Sequence, residues 1–167
     1  MDSSALTRFE AAVLPHLDAA YTLARYLTRN AHDAEDVVQD ACLRALKYFD
    51  SFRGEEGTSA RAWLLAIVRN TAYTWRRRRG GAALATEFDE TQHSPVEVDD
   101  RPDKELLARA LDRLAPEFRE VIVLREIEGL SYKEIGDVAG VPVGTVMSRL
   151  SRARARLQEA LRETERP

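Results

Sequence analysis

The chain has 167 residues, a formal net charge of −3, and 44% hydrophobic and 32% charged residues. This length allows one medium domain or two small ones, and the 8 glycines and 6 prolines are too few for a turn-rich β-sandwich. The single cysteine, Cys42, cannot form an internal disulfide, and with three histidines it shows no zinc-ligand spacing. The sequence has no long apolar run and no signal-peptide pattern. We therefore expect a cytoplasmic protein without membrane insertion, metal or other cofactor.

The charge is distributed unevenly along the chain. Residues 61–79 contain six basic and no acidic side chains, and residues 140–157 contain four basic and none acidic. Residues 80–105, in contrast, contain eight acidic and two basic side chains. Two basic segments within an acidic chain predict two separate contacts with a polyanion.

The first part of the chain, residues 1–79, is predicted to be a helical domain. Apolar residues recur near helical spacing at Phe9, Val13, Leu17, Tyr21 and Leu27. The next helix can begin at Asn30 or Asp33, and Thr58 or Ser59 can cap the helix ARAWLLAIVRNTAYTWRRRR. Between them, FDSFRGEEGTS has the composition of a loop. The inner stripe of the DAEDVVQDACLRALKYF helix is predicted to contain Val37, Ala41 and either Leu43 or Ala45.

Residues 80–102 interrupt the helical pattern. GGAALATEFDETQHSPVEVDDRP combines glycines, prolines and acids without a sustained period, which predicts a flexible acidic linker. Helical spacing then returns over residues 103–167. The predicted fold is therefore all-α, with two small helical domains joined by the linker.

The C-terminal domain contains the pattern of a helix-turn-helix. Ser131 and Glu134 form an S-x-x-E capping box, Gly140 can adopt the left-handed conformation that ends a helix, and Pro142 suits the first turn of the next. On a helical wheel the buried face of that second helix contains Val143, Val146, Leu150, Ala153 and Leu157. The predicted DNA-binding residues are Ser148, Arg149, Ser151, Arg152 and Arg156, because hydroxyls allow close approach and arginines bind phosphate or guanine.

The basic helix of the first domain has a second candidate DNA face. Its inner face is predicted to contain Leu64, Ile67, Val68, Thr71 and Trp75. The opposite face offers charge for phosphates, an amide for base edges and an aromatic ring for stacking, which suit a melted strand. That face contains Arg69, Asn70, Tyr73, Arg76 and Arg77. The alternative is a solvated arginine cluster that complements the helix dipole.

Acidic residues crowd the start of the preceding helix. Paired carboxylates can perform acid–base chemistry, but no nucleophile, histidine or metal ligand accompanies these, so we do not expect an enzyme. Compensation of the helix dipole explains Asp33, Glu35 and Asp36 well, but it explains Gln39 and Asp40 poorly. Cys42 lies beside the inner stripe and is expected to be a small core residue.

Two long segments resemble one protein family. HDAEDVVQDACLRAL with FRGEEGTSARAWLLAIVRNTAYTWRRRR is similar to region 2 of extracytoplasmic-function (ECF) sigma factors, in the sigma-70 family. LDRLAPEFREVIVLREIEGLSYKEIGDVAGVPVGTVMSRLSRARARL resembles their region 4. The resemblance implies a factor that binds core RNA polymerase through its β′ and β subunits and directs promoter-specific initiation in a stress or envelope response. It also implies an anti-sigma partner.

The resemblance implies roles for the residues named above. Region 2 would recognise and melt the −10 element, and region 4 would bind the −35 element. Asp33, Asp36, Gln39 and Asp40 would contact the polymerase β′ subunit. The loop from Ser51 to Thr58 would hold a flipped base, with Phe52 and Trp63 either in its pocket or in the core. Met147 departs from the family by standing where many members have a basic residue near the DNA.

A stand-alone helix-turn-helix regulator is the alternative to a sigma factor. It would share residues 131–161 and bind duplex DNA without polymerase. It leaves the arginine face of the first domain and the acidic helix at 33–40 unexplained. A nuclease would need metal-binding acids that face a basic segment, and the acids at 33–40 lie on a separate helix.

Overall fold

The computed structural model describes residues 2–52, 58–79 and 102–165. Over these ranges the protein is helical and contains no β-strand, which confirms the predicted all-α class. Residues 80–101 of the predicted linker, and Glu55 and Glu56 of the predicted loop, lie outside the described residues.

Four helices make up the described part of the N-terminal domain. They are α1 (Ser3–Val13), α2 (Leu17–Thr28), α3 (Ala31–Tyr48) and α4 (Ala60–Arg78), with short 3₁₀ turns at Leu14–His16 and Phe49–Ser51. The side chain of Asn30 caps α3 by accepting from the Asp33 amide at 3.0 Å. The Ser59 hydroxyl caps α4 by accepting from the Ala62 amide at 3.0 Å. Of the alternatives that the sequence offered, Asn30 and Ser59 are therefore the caps.

The core of this domain lies between α2, α3 and α4. Leu23, Val37, Leu64 and Val68 are fully buried there. Ala45, and not Leu43, completes the inner stripe of α3, since Leu43 is 67% exposed. Val13, Leu27, Ala41 and Thr71 are buried as expected, Phe9, Leu17, Ile67 and Trp75 are half-buried, and the placement of Tyr21 in a stripe was wrong because its side chain is exposed.

The C-terminal domain has four described helices of its own. These are α5 (Pro102–Asp112), α6 (Pro116–Ile122), α7 (Tyr132–Ala139) and α8 (Val143–Glu165), and α6 continues as a π-helical turn over Val123–Ile127. The predicted capping box is confirmed: the Ser131 hydroxyl accepts from the Glu134 amide, and the Glu134 carboxylate accepts from the Ser131 amide. Gly140 ends α7 with a φ of 70°.

A close approach of backbone atoms sets the turn between α7 and α8. A Cβ atom on Gly136 would lie 2.8 Å from the Val141 carbonyl oxygen, so only glycine fits there without a shift. Val146, Leu150 and Ala153 of α8 are buried as predicted. The prediction for Val143 was wrong, because its side chain is 41% exposed in the first turn of the helix.

The two domains pack directly against each other. Helix α4 lies against α7, and α2 lies against α6. Buried side chains of both domains form one continuous hydrophobic cluster, which includes Leu27 and Val68 from the first and Ile122 and Ile135 from the second. This packing decides the environment of the predicted DNA face on α4.

Candidate nucleic-acid interface

The predicted DNA face of α4 is only partly open to solvent. Asn70 and Arg77 are exposed, whereas Arg69, Tyr73 and Arg76 are half-buried. These three side chains are partly covered because the C-terminal domain lies over this part of α4. Burial lowers the pKa of Arg76 below its ordinary value.

Glu120 of α6 is the C-terminal residue that meets this face. Its side chain is fully buried, and Arg69 donates to it through Nε at 2.9 Å and through Nη2 at 3.2 Å. Burial and the neighbouring Glu120 carboxylate raise the pKa of the Tyr73 hydroxyl. The Arg69 guanidinium also lies over the Tyr73 ring, 4.2 Å from its centroid. Arg69 and Tyr73 of the predicted −10 face thus contact each other, and Arg69 is paired with a residue of the C-terminal domain.

Further polar contacts join the domains along α2 and α4. Arg61 Nη2 pairs with Glu134 at 3.3 Å, and the Ser59 hydroxyl donates to the same carboxylate at 3.0 Å. Arg29 Nε lies 3.7 Å from an Asp112 carboxylate oxygen. Arg119, which is only 2% exposed, donates to the Tyr26 carbonyl at 3.0 Å. The two domains are joined by the ion pairs Arg29–Asp112, Arg61–Glu134 and Arg69–Glu120. In each of these pairs the N-terminal domain supplies the arginine and the C-terminal domain supplies the acid.

The predicted DNA face of α8 is mostly exposed. Ser148, Ser151, Arg152 and Arg156 are exposed, and only Arg149 is half-buried. Arg149 Nη1 lies 3.9 Å from a Glu120 carboxylate oxygen. Arg156 lies over the Phe118 ring at 5.0 Å from its centroid, which positions its guanidinium along the flank of the helix. Met147, which is 53% exposed, belongs to this surface and not to the core.

The acidic surface of α3 divides into an open and a closed part. Asp36 and Gln39 are exposed, and Asp40 is half-exposed and pairs with Arg44 at 3.4 Å within the helix. Asp33 is buried at the start of the helix and accepts from Arg79 at 3.0 Å. The open part is therefore formed by Asp36, Gln39 and Asp40, beside the exposed apolar side chain of Leu43.

Phe52 and Trp63 belong to an aromatic cluster next to the loop. Their ring centroids lie 4.8 Å apart, and Phe49 contacts both rings and also Phe9. Both residues are half-buried. Cys42 is also half-buried, and burial raises the pKa of its thiol, which keeps the thiolate nucleophile scarce.

The described residues contain neither a candidate metal site nor a candidate membrane-spanning helix. Within residues 2–52, 58–79 and 102–165, no group of histidine, cysteine or acidic side chains is arranged to hold a metal ion. Nor does that part of the chain contain a helix with the length and apolarity to cross a membrane.

Two family models match the chain in order. The model for Sigma-70 region 2 matches residues 12–81, and the model for Sigma-70, region 4 matches residues 104–157. The chain belongs to the ECF branch of the sigma-70 family. The region 2 match accounts for the part of this sigma factor that a stand-alone helix-turn-helix regulator leaves unexplained.

Named relatives agree with this assignment. The sigma factor is 39% identical to the ECF RNA polymerase sigma factor SigE of Mycolicibacterium smegmatis, over 96% of its own chain and 64% of that protein. It is 35% identical to the ECF RNA polymerase sigma-E factor of Haemophilus influenzae, over 83% of its own chain and 79% of that protein. The chain thus spans somewhat less than two thirds of the first of these relatives.

Solved structures show the same fold. The sigma factor RpoE in complex with the anti-sigma factor NepR from Bartonella quintana matches with a TM-score of 0.72 and 33% identity, covering 95% of this chain and 99% of that one. CnrH in complex with the cytosolic domain of CnrY matches with a TM-score of 0.69 and 32% identity, covering 95% and 89%.

Three residues at the domain contact were not predicted from the sequence: Arg61, Arg119 and Glu120. One signal was available for the last two: they directly precede four consecutive apolar residues, Val121–Leu124, all of which are buried. A helix that is apolar all round has no solvent-facing side on which to place a charge. Charged residues in such a segment are expected to have buried partners.

Proposed function

We propose that this sigma factor binds core RNA polymerase in the cytoplasm and directs promoter-specific initiation in a stress or envelope response, with no catalytic activity of its own. The observation that carries the proposal is the pair of arginine-bearing helix faces, one in each family region. Region 4 presents Ser148, Ser151 and Arg152 together on the exposed side of α8. A helix of this kind in the major groove can read the −35 element through Arg152 and position itself through phosphate contacts of Arg149 and Arg156.

Region 2 supplies the second DNA contact. Asn70 and Arg77 are exposed on α4, and Arg69, Tyr73 and Arg76 lie beside them on the same helix. Amide, guanidinium and aromatic groups together suit a single strand, because they can bind base edges, phosphates and base faces. We assign this face to the −10 element.

The open acidic surface of α3 is the proposed contact with the polymerase β′ subunit. Asp36, Gln39 and Asp40 are accessible there, and Leu43 adds an exposed apolar side chain. Asp33 is left out of the contact, because it is buried and paired with Arg79. A mixed acidic and apolar surface suits a partner with basic and apolar side chains.

An anti-sigma protein is the proposed inhibitory partner. The similar protein from Bartonella quintana was solved in complex with an anti-sigma factor. Two domains allow one inhibitor to engage both, and binding through two linked sites gains from effective concentration.

Transcription with purified core polymerase tests the main proposal. Adding the sigma factor should produce transcripts from a defined set of promoters, and their start sites identify the −10 and −35 elements. The double variant Asp36→Lys, Asp40→Lys should lose at least about 10-fold in affinity for core, because like charges then face each other. Competition against labelled wild-type protein for core measures this loss.

The matched control carries the same charge change elsewhere. Glu10 and Asp18 are exposed acids on α1 and α2 and do not belong to α3. The double variant Glu10→Lys, Asp18→Lys should compete for core nearly as well as wild type. Equal competition by both double variants would show that α3 is not the polymerase contact.

A further inference from the structure

The first turns of helix α8 expose apolar side chains beside the proposed −35 contact. Met147 is 53% exposed and Val143 is 41% exposed, and side chains four residues apart are neighbours on a helix surface. We propose that Met147 contacts the 5-methyl group of a thymine in the −35 element, and that it thereby determines part of the promoter specificity. This inference rests on the proposed function, because it takes α8 to lie in the major groove of promoter DNA.

The position of Met147 on α8 brings its side chain close to the base edges. The exposed hydroxyl residues Ser148 and Ser151 lie one and four positions after it. Gly144 lies one turn before it, and a Cβ atom on Gly144 would meet nothing within 4 Å. These small residues let the backbone of α8 approach DNA closely. The N-terminal residues of such a helix are the ones that contact base edges, and Met147 is among them.

An open cleft lies next to the Met147 side chain. It has a volume of about 450 Å³, and its lining includes Tyr132 at the start of α7 together with Met147, Leu150 and Ser151 of α8. Methionine is unbranched and has a polarizable sulfur, so its side chain adapts to the surface that it meets. Met147 therefore has room to turn toward a base without any change in the core.

The two flanks of α8 differ in charge. Arg149 and Arg156, which we assign to phosphate contacts, lie on one flank. On the other flank, Arg154 lines the same cleft as Met147, and its guanidinium donates two hydrogen bonds to Glu126, at 2.8 and 3.1 Å. This ion pair offsets the positive charge on the Met147 flank. A nearly neutral flank attracts phosphate weakly and suits a contact with bases.

The chemistry of methionine narrows the choice of its DNA partner. A thioether has no hydrogen-bond donor and is only a weak acceptor, so it cannot bind a phosphate group. Polar atoms of a base edge would lose water against it without gaining a good hydrogen bond. The methyl group of thymine is the apolar group that base pairs present in the major groove. Met147 therefore favours thymine over the other bases.

Replacement of thymine by deoxyuridine isolates the methyl group, because the two bases differ only there. In a promoter located by start-site mapping, each thymine of both strands of the −35 element is replaced in turn. Competition then measures the affinity of the sigma factor with core polymerase for each fragment. At one position the wild-type affinity should fall about fourfold, as expected for one methyl group that is no longer buried. Met147→Ala should bind the thymine and deoxyuridine forms of that fragment equally.

Three further variants separate the methyl contact from a general loss of apolar surface. Ile127→Ala removes another exposed apolar side chain of region 4 and should keep the fourfold discrimination. Met147→Leu keeps an apolar side chain of similar size and should keep most of it. Met147→Arg should bind both fragments equally, and its affinity should fall more steeply with salt, by about one additional phosphate contact.

Several results would overturn the methyl contact. Wild-type protein that is indifferent to every deoxyuridine is one of them, and wild-type discrimination in Met147→Ala or Met147→Arg is another. Loss of discrimination in Ile127→Ala or Met147→Leu overturns it as well. Circular dichroism checks that each variant is folded, and Met147→Arg decides the outcome if Met147→Ala is not.

The unsubstituted promoter distinguishes this inference from the proposed function. Wild-type protein that transcribes no promoter would contradict the proposed function and the methyl contact together. Transcription from the thymine promoter combined with equal affinity for every deoxyuridine fragment would overturn the methyl contact alone.

Discussion

The two arginine faces have similar chemistry and very different surroundings. On α8 the face lies on the solvent side, and Ser148, Ser151 and Arg152 are exposed. On α4 the equivalent face meets another domain, and Arg69 and Tyr73 are half-buried against Glu120. A helix of a small isolated domain usually buries one side and exposes the other. Where two domains pack together, both sides of the same helix can be buried. The packing of the second domain therefore decides which residues of each face are exposed.

This difference in exposure affects how readily each face of the free protein could bind DNA. On α8 the proposed DNA contact is open to solvent, since Arg152 is exposed. On α4, by contrast, Arg69 of the proposed DNA contact is already paired with Glu120. We therefore expect the contacts of region 4 with DNA to form more readily than those of region 2, and substitutions at Arg119, Gly136 and Glu134 test this contrast.

The largest expected effect is at Arg119, the buried arginine of α6. Its guanidinium donates to the Leu111 and Leu114 carbonyls at 2.9 and 2.8 Å and to the Tyr26 carbonyl of region 2 at 3.0 Å. Arg119→Met leaves these carbonyl oxygens without their donor in a buried site. The free energy of unfolding should fall by about 3 kcal/mol, measured by urea denaturation.

Arg113 provides the control for this substitution. Its side chain is 48% exposed and pairs with Glu163 at 2.7 Å on the surface. Arg113→Met should change the free energy of unfolding by less than about 1 kcal/mol, because exposed ion pairs contribute little. Similar losses in the two variants would mean that Arg119 does not join the domains through its interior contacts.

The next effect concerns the turn that orients the exposed face. Gly136→Ala places a Cβ atom 2.8 Å from the Val141 carbonyl oxygen, and that backbone atom has little room to move. The resulting shift between α7 and α8 should cost about 1–3 kcal/mol of stability, read from the thermal midpoint. Gly144 on α8 is the matched control, because a Cβ atom there meets nothing within 4 Å.

The control should shift stability in the opposite direction. Alanine restricts the unfolded chain and favours the helix, so Gly144→Ala should stabilise the protein by about 0.4–1 kcal/mol. The same substitution at two glycines eight residues apart would then change the stability in opposite directions. Stabilisation by Gly136→Ala would show that the turn has room for a side chain and does not fix the orientation of α8.

The local features of both domains could be predicted from the sequence. Ser131 and Glu134 form the capping box, Gly140 has a positive φ, and Ser59 caps α4. Such features depend on residues within four positions of each other, and these are visible in one sequence. The inward positions Val146 and Leu150 followed from helical periodicity for the same reason.

Periodicity does not encode the contacts that decide the surroundings of the other residues. Val143 matches the apolar stripe, but it lies in the first turn of α8, where neighbouring Gly144 also borders open space. Arg69 and Tyr73 match the polar side of α4, yet that side meets region 4. A helical wheel assumes a single core, whereas here the partner of Arg69 is Glu120, which lies 51 positions away.

The smallest expected effect is a pH dependence at the edge of the domain contact. Burial alone would raise the pKa of Glu134, but hydrogen bonds from the Ser131 amide and the Ser59 hydroxyl, together with Arg61, hold it below its ordinary value of 4.5. A carboxyl whose pKa is lowered by folding stabilises the folded state fully above the pKa of the unfolded chain. That stabilisation is lost as the pH falls below about 4.5 and through the lower pKa of the folded protein.

Glu134→Gln isolates this contribution. Above the ordinary pKa the variant should be less stable than wild type by under about 1 kcal/mol, because the carboxylate is partly exposed and its ion pair is screened by solvent. The difference should shrink toward zero as the pH is lowered from 6 to 3, since wild-type Glu134 then becomes neutral as well. Urea midpoints of both proteins across this pH range measure the difference. A constant difference would mean that Glu134 stabilises α7 and the domain contact through its shape and neutral hydrogen bonds, so that its charge would have no part in closing the domains.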